Sequence, residues 1–448
     1  MATPYDIIII GGGNAGFAVS KIAHAEGKRL AFIEERDFGG TCPNRGCTPK
    51  KVLVAAAHAL DEIARAPVHA IEVEKPKLDW ARLIARAQDM ISFIPDAMAS
   101  TAGKRGDVYR GRARFVDPHT VEVDGVELRG EHIVIATGSR PRPLVFEGAE
   151  HLVTSEVVLS DPELPDEVLF VGGGVIAMEF AHVLQRAGSE VTILEVMPRL
   201  LSRLDEDAVA ALRKETESLG TRIHTGIQVV RIEPENSRLR VHYTLAGEAR
   251  SKLVDRVVNG AGRVANVDGL NLEAAAVEHD RGRIAVDAHL RSKSQPHIWV
   301  AGDALANSAQ LSPLAGYEGN IVGHNIVHGP EKMPDYRTVP SVVHTVPALA
   351  SVGLSEAQAI EEGKNVRVTK NDMATWFSGK SYAETTAFAK VLIDEDTDLI
   401  LGAQMVGHRG EELIHVFALA MANGITASRL AASHFAFPTF SSDIKNLL

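Results

Sequence analysis

Cysteine is nearly absent. The 448 residues contain two, Cys42 and Cys47, which excludes a framework of several structural disulfides. An excess of positive charge is absent too. Lys and Arg number 47 against 58 Asp and Glu, for a net charge of −11. Wholesale nucleic-acid binding, which needs cations to neutralise phosphates, is therefore not expected. Long hydrophobic runs are also missing. The apolar run in the opening "MATPYDIIIIGGG" is too short to cross a bilayer. It lacks the basic region and cleavage site of a secretory leader. No membrane partner is expected, and the cytoplasm is the default location. What remains is ordinary globular composition, 45% hydrophobic and 23% charged, in a chain long enough for roughly three domains of ~150 residues.

The chain opens with "YDIIIIGGGNAGFAVSKIAHAEGKRLAFIEE". Ile7 to Ile10 read as a strand buried on both faces. Gly11, Gly13 and Gly16 follow at the G-x-G-x-x-G spacing. A helical pattern and a second strand, Leu30 to Ile33, end at Glu34. This is a βαβ unit with its acidic residue in the dinucleotide-binding position. The pattern recurs in "EVLFVGGGVIAMEFAHVLQRAGSEVTILE". Here Gly172 and Gly174 precede Ala177, an allowed replacement for the third glycine, and the second strand ends at Glu195. One such motif is a weak signal. Two, each closing on a glutamate, predict two dinucleotide sites. A glycine-rich turn without a ligand leaves both glutamates unexplained.

Between the two units, Leu78 to Met98 read as one long amphipathic helix through Leu83, Ile84, Ala87, Met90, Ile91 and Ile94. "VYRGRARFVDPHTVEVDG" alternates as antiparallel strands do. "IVIATGSRP" and "IWVAGDA" each run a strand into a glycine turn. In the second, Asp303 is placed to accept hydroxyls from a sugar or ribityl chain. From Tyr336 the texture changes to alternating strands, then helices around Glu411 to Asn423, which marks a third domain.

Both cysteines lie in "GGTCPNRGCTPKK", residues 39–51. Zinc needs further ligands, and none of the 18 histidines sits nearby at ligand spacing; no metal is expected. A structural disulfide closing so small a loop removes little entropy from the unfolded chain. A redox-active pair fits best. Pro49 stands where a helix would start, which puts Cys47 at the helix's positive end, where a thiolate is favoured. Lys51, four residues on, shares that face and lowers the thiol pKa further. Cys42 is left to face a substrate.

These residues identify the chain as a member of the class I pyridine nucleotide–disulfide oxidoreductases, which include glutathione reductase, dihydrolipoamide dehydrogenase, mercuric reductase and the soluble transhydrogenases. "IATGSRP", "GAGRVANV", "VAGDALANSAQLSPLA" and "HTVPALASVGLSE" resemble landmarks of that family in order. The resemblance implies an α/β fold of two Rossmann-like dinucleotide-binding domains plus an α+β C-terminal dimerisation domain. The expected division is 1–148 and 265–335 for the two parts of the FAD domain, 149–264 for the NAD(P) domain and 336–448 for dimerisation, in a homodimer. FAD is expected at Gly11, Gly13, Asn14, Ala15, Gly16, Glu34, Gly40, Thr41, Lys51, Ala113, Gly138, Asp303 and Ser312. Glu34 takes the adenosine ribose and Asp303 the ribityl chain. The nicotinamide nucleotide is expected at Gly172, Gly174, Ile176, Glu195 and Gly262. Glu195 resembles the acidic residue of NAD-preferring members, which repels a 2′-phosphate; Val196 and Ser202 stand where NADP-preferring relatives carry arginines. NAD(H) is therefore favoured over NADP(H). The same resemblance makes Cys47 the thiolate beside the flavin and Cys42 the thiol that attacks substrate. It places Lys51 near flavin N5 and makes Glu179 its partner.

One landmark departs. The family's last domain usually ends in H-P-T-x-x-E, whose histidine serves as acid–base across the dimer. Here Phe437 and Ser442 occupy the histidine and glutamate positions, and neither does proton chemistry near pH 7. His434 is the candidate substitute base. A disulfide whose leaving thiol has a low pKa needs no such help. The expected function is an FAD-dependent reductase driven by NADH or NADPH, acting through the Cys42–Cys47 disulfide on a small disulfide with an acidic leaving thiol. Two alternatives stand beside it: a diaphorase-like flavoprotein reducing a quinone, metal ion or oxygen, and a non-enzymatic flavin-binding redox sensor.

Overall fold

The computed structural model describes residues 3–306 and 308–448. The first two residues of the leader segment tested above, and Asn307 of one landmark, lie outside them. By packing, the chain forms two units. The first comprises residues 1–50, 85–142 and 263–334, and the second 51–84, 143–262 and 335–448.

The first unit is built on the opening βαβ pattern. Strand β1 (Thr3–Ile10), helix α1 (Asn14–Ala25) and strand β2 (Leu30–Glu34) follow one another. Ile7 to Ile10 are all buried, as a strand covered on both faces requires. A short helix α2 (Thr41–Arg45) leads into the long helix α3 (Cys47–Arg65). The stretch 78–98 departs from expectation. It forms two helices, α4 (Trp80–Asp89) and α5 (Ile94–Gly103). Pro95 stands in the first turn of α5, where its missing N–H costs nothing but where a continuing helix would lose a hydrogen bond. Met90, placed on the apolar stripe by the pattern, is exposed in the intervening turn.

Strands β3 (Asp107–Arg110), β4 (Ala113–Asp117), β5 (Thr120–Val123) and β6 (Val126–Ile135) complete the sheet in the order β3-β2-β1-β6-β5-β4. The β1, β2, β3 and β6 pairings are parallel, whereas β4 and β5 are antiparallel. The second half of β6 pairs instead with Ile298–Val300. That pairing carries Asp303 to the carboxyl ends of the strands, where open α/β sheets bind ligands.

The second unit repeats the idea. Glu167–Val171, Glu190–Glu195, Arg222–Thr225 and Arg256–Asn259 form a four-stranded parallel sheet. An antiparallel layer of three strands, residues 228–254, covers its core. The C-terminal part is a five-stranded antiparallel sheet with the helix Gly410–Ala422 packed on it. Residues 51–84 pack with this unit and not with the first domain to which the sequence assigned them. Arg186 bridges Asp61 at 2.8 Å, and the Trp80 indole N–H donates to the Asp161 carbonyl at 3.0 Å. A buried cluster further ties the unit together. Lys390 Nζ meets Asp205, Asp207 and Glu356 at 2.8, 2.7 and 2.6 Å. Burial pulls the Lys390 pKa down, but the hydrogen bonds to the three carboxylates win and raise it. Among the described residues, no helix is long and apolar enough to cross a membrane.

Candidate functional site

The turn after β1 has no room for side chains. Gly11 has φ +113°, and a Cβ there would lie 2.2 Å from the Ala136 carbonyl oxygen. A Cβ on Gly16 would lie 2.2 Å from the Gly11 oxygen, so helix and strand approach as closely as backbone permits. Gly13, by contrast, faces open space but for Gly40 Cα at 3.8 Å. Backbone N–H groups at the start of α1 are thus bare to an incoming anion. Glu34 holds the turn. Its two carboxylate oxygens accept from the Gly12 and Arg36 N–H groups at 2.7 and 2.8 Å, and each keeps a lone pair for a ribose hydroxyl.

The remaining first-domain residues converge on the same end of the sheet. Asn14 donates to Ser312 Oγ across 298 positions of sequence. Asp303 accepts from Ser139 Oγ at 2.8 Å, and burial raises its pKa against the pull of Ser139 and Arg263. Ala113 is buried at the start of β4, and Gly138 (φ +70°) turns the chain out of the β6 edge. The Thr137 hydroxyl oxygen is buried without a hydrogen-bond partner among the described residues. An orphaned hydroxyl beside a glycine cradle and a carboxylate at hydroxyl-accepting range is what a bound dinucleotide completes. These residues fit FAD.

The cysteines sit where α2 passes into α3. Both are free thiols, Cys42 half-buried and Cys47 exposed. Gly46 permits the tight link, since a Cβ there would lie 3.0 Å from the Thr41 oxygen. In the reduced pair the hydrogen bond between the sulfurs favours the thiolate on Cys42, whereas the helix-dipole expectation put it on Cys47. The Cys47 S–H donates to Cys42, the Ser312 hydroxyl and the Cys47 backbone N–H add to it, and together they bring the Cys42 pKa down to about 6. Donating to Cys42 holds the proton on Cys47 and, with burial, raises its pKa. The cation that favours both thiolates is Lys50, not Lys51. Sequence spacing did not single out Lys50, because it stands directly beside Lys51 in the chain.

Lys51 is exposed. Its Nζ lies 3.4 Å from His344 Nδ1, and the His344 backbone N–H donates to Glu179 Oε1 at 2.8 Å. His344 therefore touches both members of the expected Lys51–Glu179 pair. The spacing offered no sign of it, because it lies 165 positions beyond Glu179.

The second dinucleotide unit mirrors the first. Gly172 has φ +104°, and a Cβ there would lie 2.5 Å from Ala261. Gly174 precedes the helix Val175–Ala187, which carries Ile176, and Gly262 has φ +91° with open space where a Cβ would stand. Gly260 packs against this turn without room for a side chain, since a Cβ there would lie 2.6 Å from the Gly172 oxygen and 2.9 Å from the Ala177 methyl. Glu195, buried, accepts from the Gly173 and Met197 N–H groups, the latter at 2.7 Å. Arg199 turns its guanidinium onto the carbonyls of Leu204 and Ser202 at 2.9 and 2.6 Å. It is satisfied within its own loop.

The C-terminal segment holds no acid–base pair at the expected positions. Phe437 is 80% exposed. Ser442 is buried in a capping box with Thr439. His434 is exposed and makes no side-chain hydrogen bond among the described residues. Asp443, its neighbour in sequence, is already held by His408 Nε2 at 2.9 Å and by Ser378. The other ring nitrogen of the fully buried His408 faces Glu384 at 2.9 Å. Trp376 and Tyr382 pack around that histidine and Phe440, whereas Phe377 is exposed.

Comparison with known proteins agrees with this geometry. The pyridine nucleotide-disulphide oxidoreductase domain matches residues 5–319, and the dimerisation domain of the same family matches residues 339–448. The chain is 34% identical over 443 residues to a dihydrolipoyl dehydrogenase of Thermus scotoductus, covering 98% of this chain and 95% of that one. It is 31% identical to a glutathione reductase of Burkholderia cepacia, covering 99% and 98%. With a mercuric reductase of Lysinibacillus sphaericus it shares 30%, covering 98% and 81%. Among solved structures, the Cu(II) complex of the HOCl-induced flavoprotein disulfide reductase RclA from Escherichia coli superposes with a TM-score of 0.88. The sequence identity is 28%, and the match covers 100% of this chain and 99% of that one. These relatives are enzymes, which sets the non-enzymatic sensor aside. The chain belongs to the class I pyridine nucleotide-disulphide oxidoreductases: it is an FAD flavoprotein enzyme carrying the family's dimerisation domain.

Proposed function

We propose that the enzyme is an NADH-dependent reductase of small disulfides whose leaving thiol has a low pKa, working as a homodimer through Cys42 and Cys47. The observation that carries this reading is the pairing of a self-stabilised Cys42 thiolate, with a pKa of about 6, with Phe437 and Ser442 where relatives hold an acid–base pair. The Gly11–Gly16 turn, Glu34 and Asp303 would hold FAD, which when bound would supply hydride transfer between the dinucleotide and the cysteine pair. The rest is the chain's own chemistry. The Cys42 thiolate attacks one substrate sulfur, forming a mixed disulfide and expelling one thiolate. Cys47, on losing its proton, attacks Cys42, re-forms the Cys42–Cys47 disulfide and releases the second thiolate. In sum one disulfide, one NADH and one proton give two thiols and NAD⁺. With Phe437 and Ser442 in the acid–base positions, the rate depends on that thiol's own acidity. Glu195, with both oxygens fixed by backbone N–H groups, supports NADH over NADPH. It accepts a ribose 2′-hydroxyl and repels a 2′-phosphate.

A second reading, reduction of a thiophilic metal ion, is favoured by one observation. The E. coli RclA structure is a Cu(II) complex, and a Cys42 thiolate beside the Cys47 thiol offers soft ligands to such an ion.

The test is anaerobic. The purified enzyme is reduced with one equivalent of NADH, then reoxidised by aryl and alkyl disulfides graded in thiol pKa, and separately by Cu(II). A rate that climbs steeply as the leaving thiol becomes more acidic supports the disulfide reading. Uniformly negligible disulfide rates with fast reoxidation by Cu(II) overturn it in favour of the second. A parallel comparison of kcat/KM for NADH and NADPH, before and after Glu195→Ser, tests the dinucleotide assignment.

A further inference from the structure

The helix Ser312–His328 serves Cys42 with its first residue. Its other end bears chemistry that the reaction does not use. His324 and His328 stand four residues apart and so share a helix face. Their ring centroids are 4.7 Å apart, with the planes tilted by 55°. His328 is exposed at the helix terminus, while His324 is half-buried. The Nδ1 of His324 is buried and has no hydrogen-bond partner among the described residues. Leaving a buried polar nitrogen unpaired is costly. A ring that merely packs on its neighbour can turn to satisfy that atom.

From this juxtaposition we propose that His324 and His328 form a divalent-cation site: a chelating pair of imidazoles for a borderline metal ion such as Cu(II), Ni(II) or Zn(II). Three physical arguments support it. Neutral imidazole prefers these ions to Mg²⁺ or Ca²⁺, which take oxygen ligands. Metal–nitrogen bonds of about 2.0–2.1 Å require two donor nitrogens within roughly 4 Å of each other, and rings already 4.7 Å apart reach that by small side-chain rotations. His328 also sits in the last turn, where the unsatisfied carbonyls of the helix end favour a cation. Among the described residues, no group of three or more His, Cys, Asp or Glu converges as a metal site. The two imidazoles therefore leave the remaining coordination positions to water. The site is independent of which electron acceptor the cysteines serve.

The experiment uses the flavin-loaded enzyme with Cys42–Cys47 oxidised, so that the thiolates do not compete. Cu(II) is titrated in against glycine as competing ligand, without NADH. Bound copper is counted, and its electron paramagnetic resonance spectrum is recorded. The expected result is one Cu(II) per chain at this site, with hyperfine structure from two nitrogens. His328→Gln and His324→Gln each weaken binding at least about tenfold, because losing one arm of a chelate forfeits its effective concentration. A Cys42→Ser, Cys47→Ser double variant binds as the parent does. His328 is exposed at a helix end, so its variant keeps the fold, which flavin absorbance and the urea midpoint verify. Copper affinity unchanged in His328→Gln, a single-nitrogen spectrum, or loss of binding in the cysteine double variant each overturn the proposal.

Discussion

Removing the Cys47 thiol tests where the negative charge of the cysteine pair resides. In the reduced enzyme the Cys42 thiol is brought from 9.0 to about 6, with the Cys47 S–H as the largest contributor, ahead of Ser312, the Cys47 N–H and Lys50. Three pH units correspond to about 4 kcal/mol. Cys42 is half-open to water, so solvent screening reduces the usable part to roughly 2 kcal/mol. Cys47→Ala should therefore raise the Cys42 pKa, by less than that amount because Ser312, the Cys47 N–H and Lys50 remain. At pH 7 the thiolate fraction then falls, and iodoacetamide alkylation of Cys42 slows, by up to about fourfold. Near pH 9 the two proteins should react at nearly equal rates, because both are ionised. Cys47→Ser retains an O–H donor and should restore most of the lowered pKa. The assay is a pH–rate profile under nitrogen, with peptide mass spectrometry identifying the alkylated residue. An unchanged midpoint in Cys47→Ala would refute the hydrogen-bond account. Alkylation of Cys47 first, with the low midpoint, would return the thiolate to the helix-dipole site.

The remaining expectations concern stability and the second dinucleotide site. His182 is fully buried, with its ring nitrogens at 2.9 Å from the Val346 carbonyl and 2.8 Å from Thr216 Oγ1, and burial lowers its pKa to about 3. Because the unfolded histidine protonates near 6.5 and the folded one does not, stability falls as pH drops from about 6.5 toward 3, by about 1.4 kcal/mol per unit. Urea unfolding at pH 6.5 and 4.5 should show this slope reduced in His182→Gln, and an unchanged slope would remove His182 as its source. Lys390→Met leaves the buried Asp205 carboxylate without its cation and should cost about 3–5 kcal/mol, measured by chemical denaturation; a loss under ~1 kcal/mol would contradict the burial argument. Gly172→Ala forces a Cβ to within 2.5 Å of Ala261 at φ +104°. The variant should retain bound FAD and its reduction by dithionite, while reduction by NADH slows at least about tenfold; loss of FAD with unchanged NADH kinetics would assign the turn to the wrong cofactor.

Much of this molecule is legible in one dimension because its chemistry is local. The βαβ units place glycine turn, helix and closing glutamate within about 25 residues, so spacing alone located Glu34 and Glu195, and each carboxylate caps its own glycine turn as the motif requires. The two cysteines, five positions apart across a helix start, are local as well. So is the C-terminal segment, where Phe437 and Ser442 stand at the positions expected of an acid–base pair. The helix break at Pro95 is local too, although a continuous apolar stripe runs across it.

What the sequence by itself determined is the set of local devices: two glycine turns each closed by a glutamate, one pair of cysteines, and a C-terminal segment with Phe437 and Ser442 at the positions expected of an acid–base pair. What only the tertiary structure decided is which groups meet. Ser312 reaches Asn14 across 298 positions and also supports the Cys42 thiolate. The Lys50 charge favours both thiolates. His344 joins Lys51 and Glu179, and Asp443 is committed to His408. The physical reason is one of range. Turn geometry and helix periodicity are encoded over a few residues, where backbone sterics and hydrogen bonds act. The charge state of a thiol depends on every donor and cation within a few ångströms, and packing of the whole chain, not spacing along it, brings those groups together.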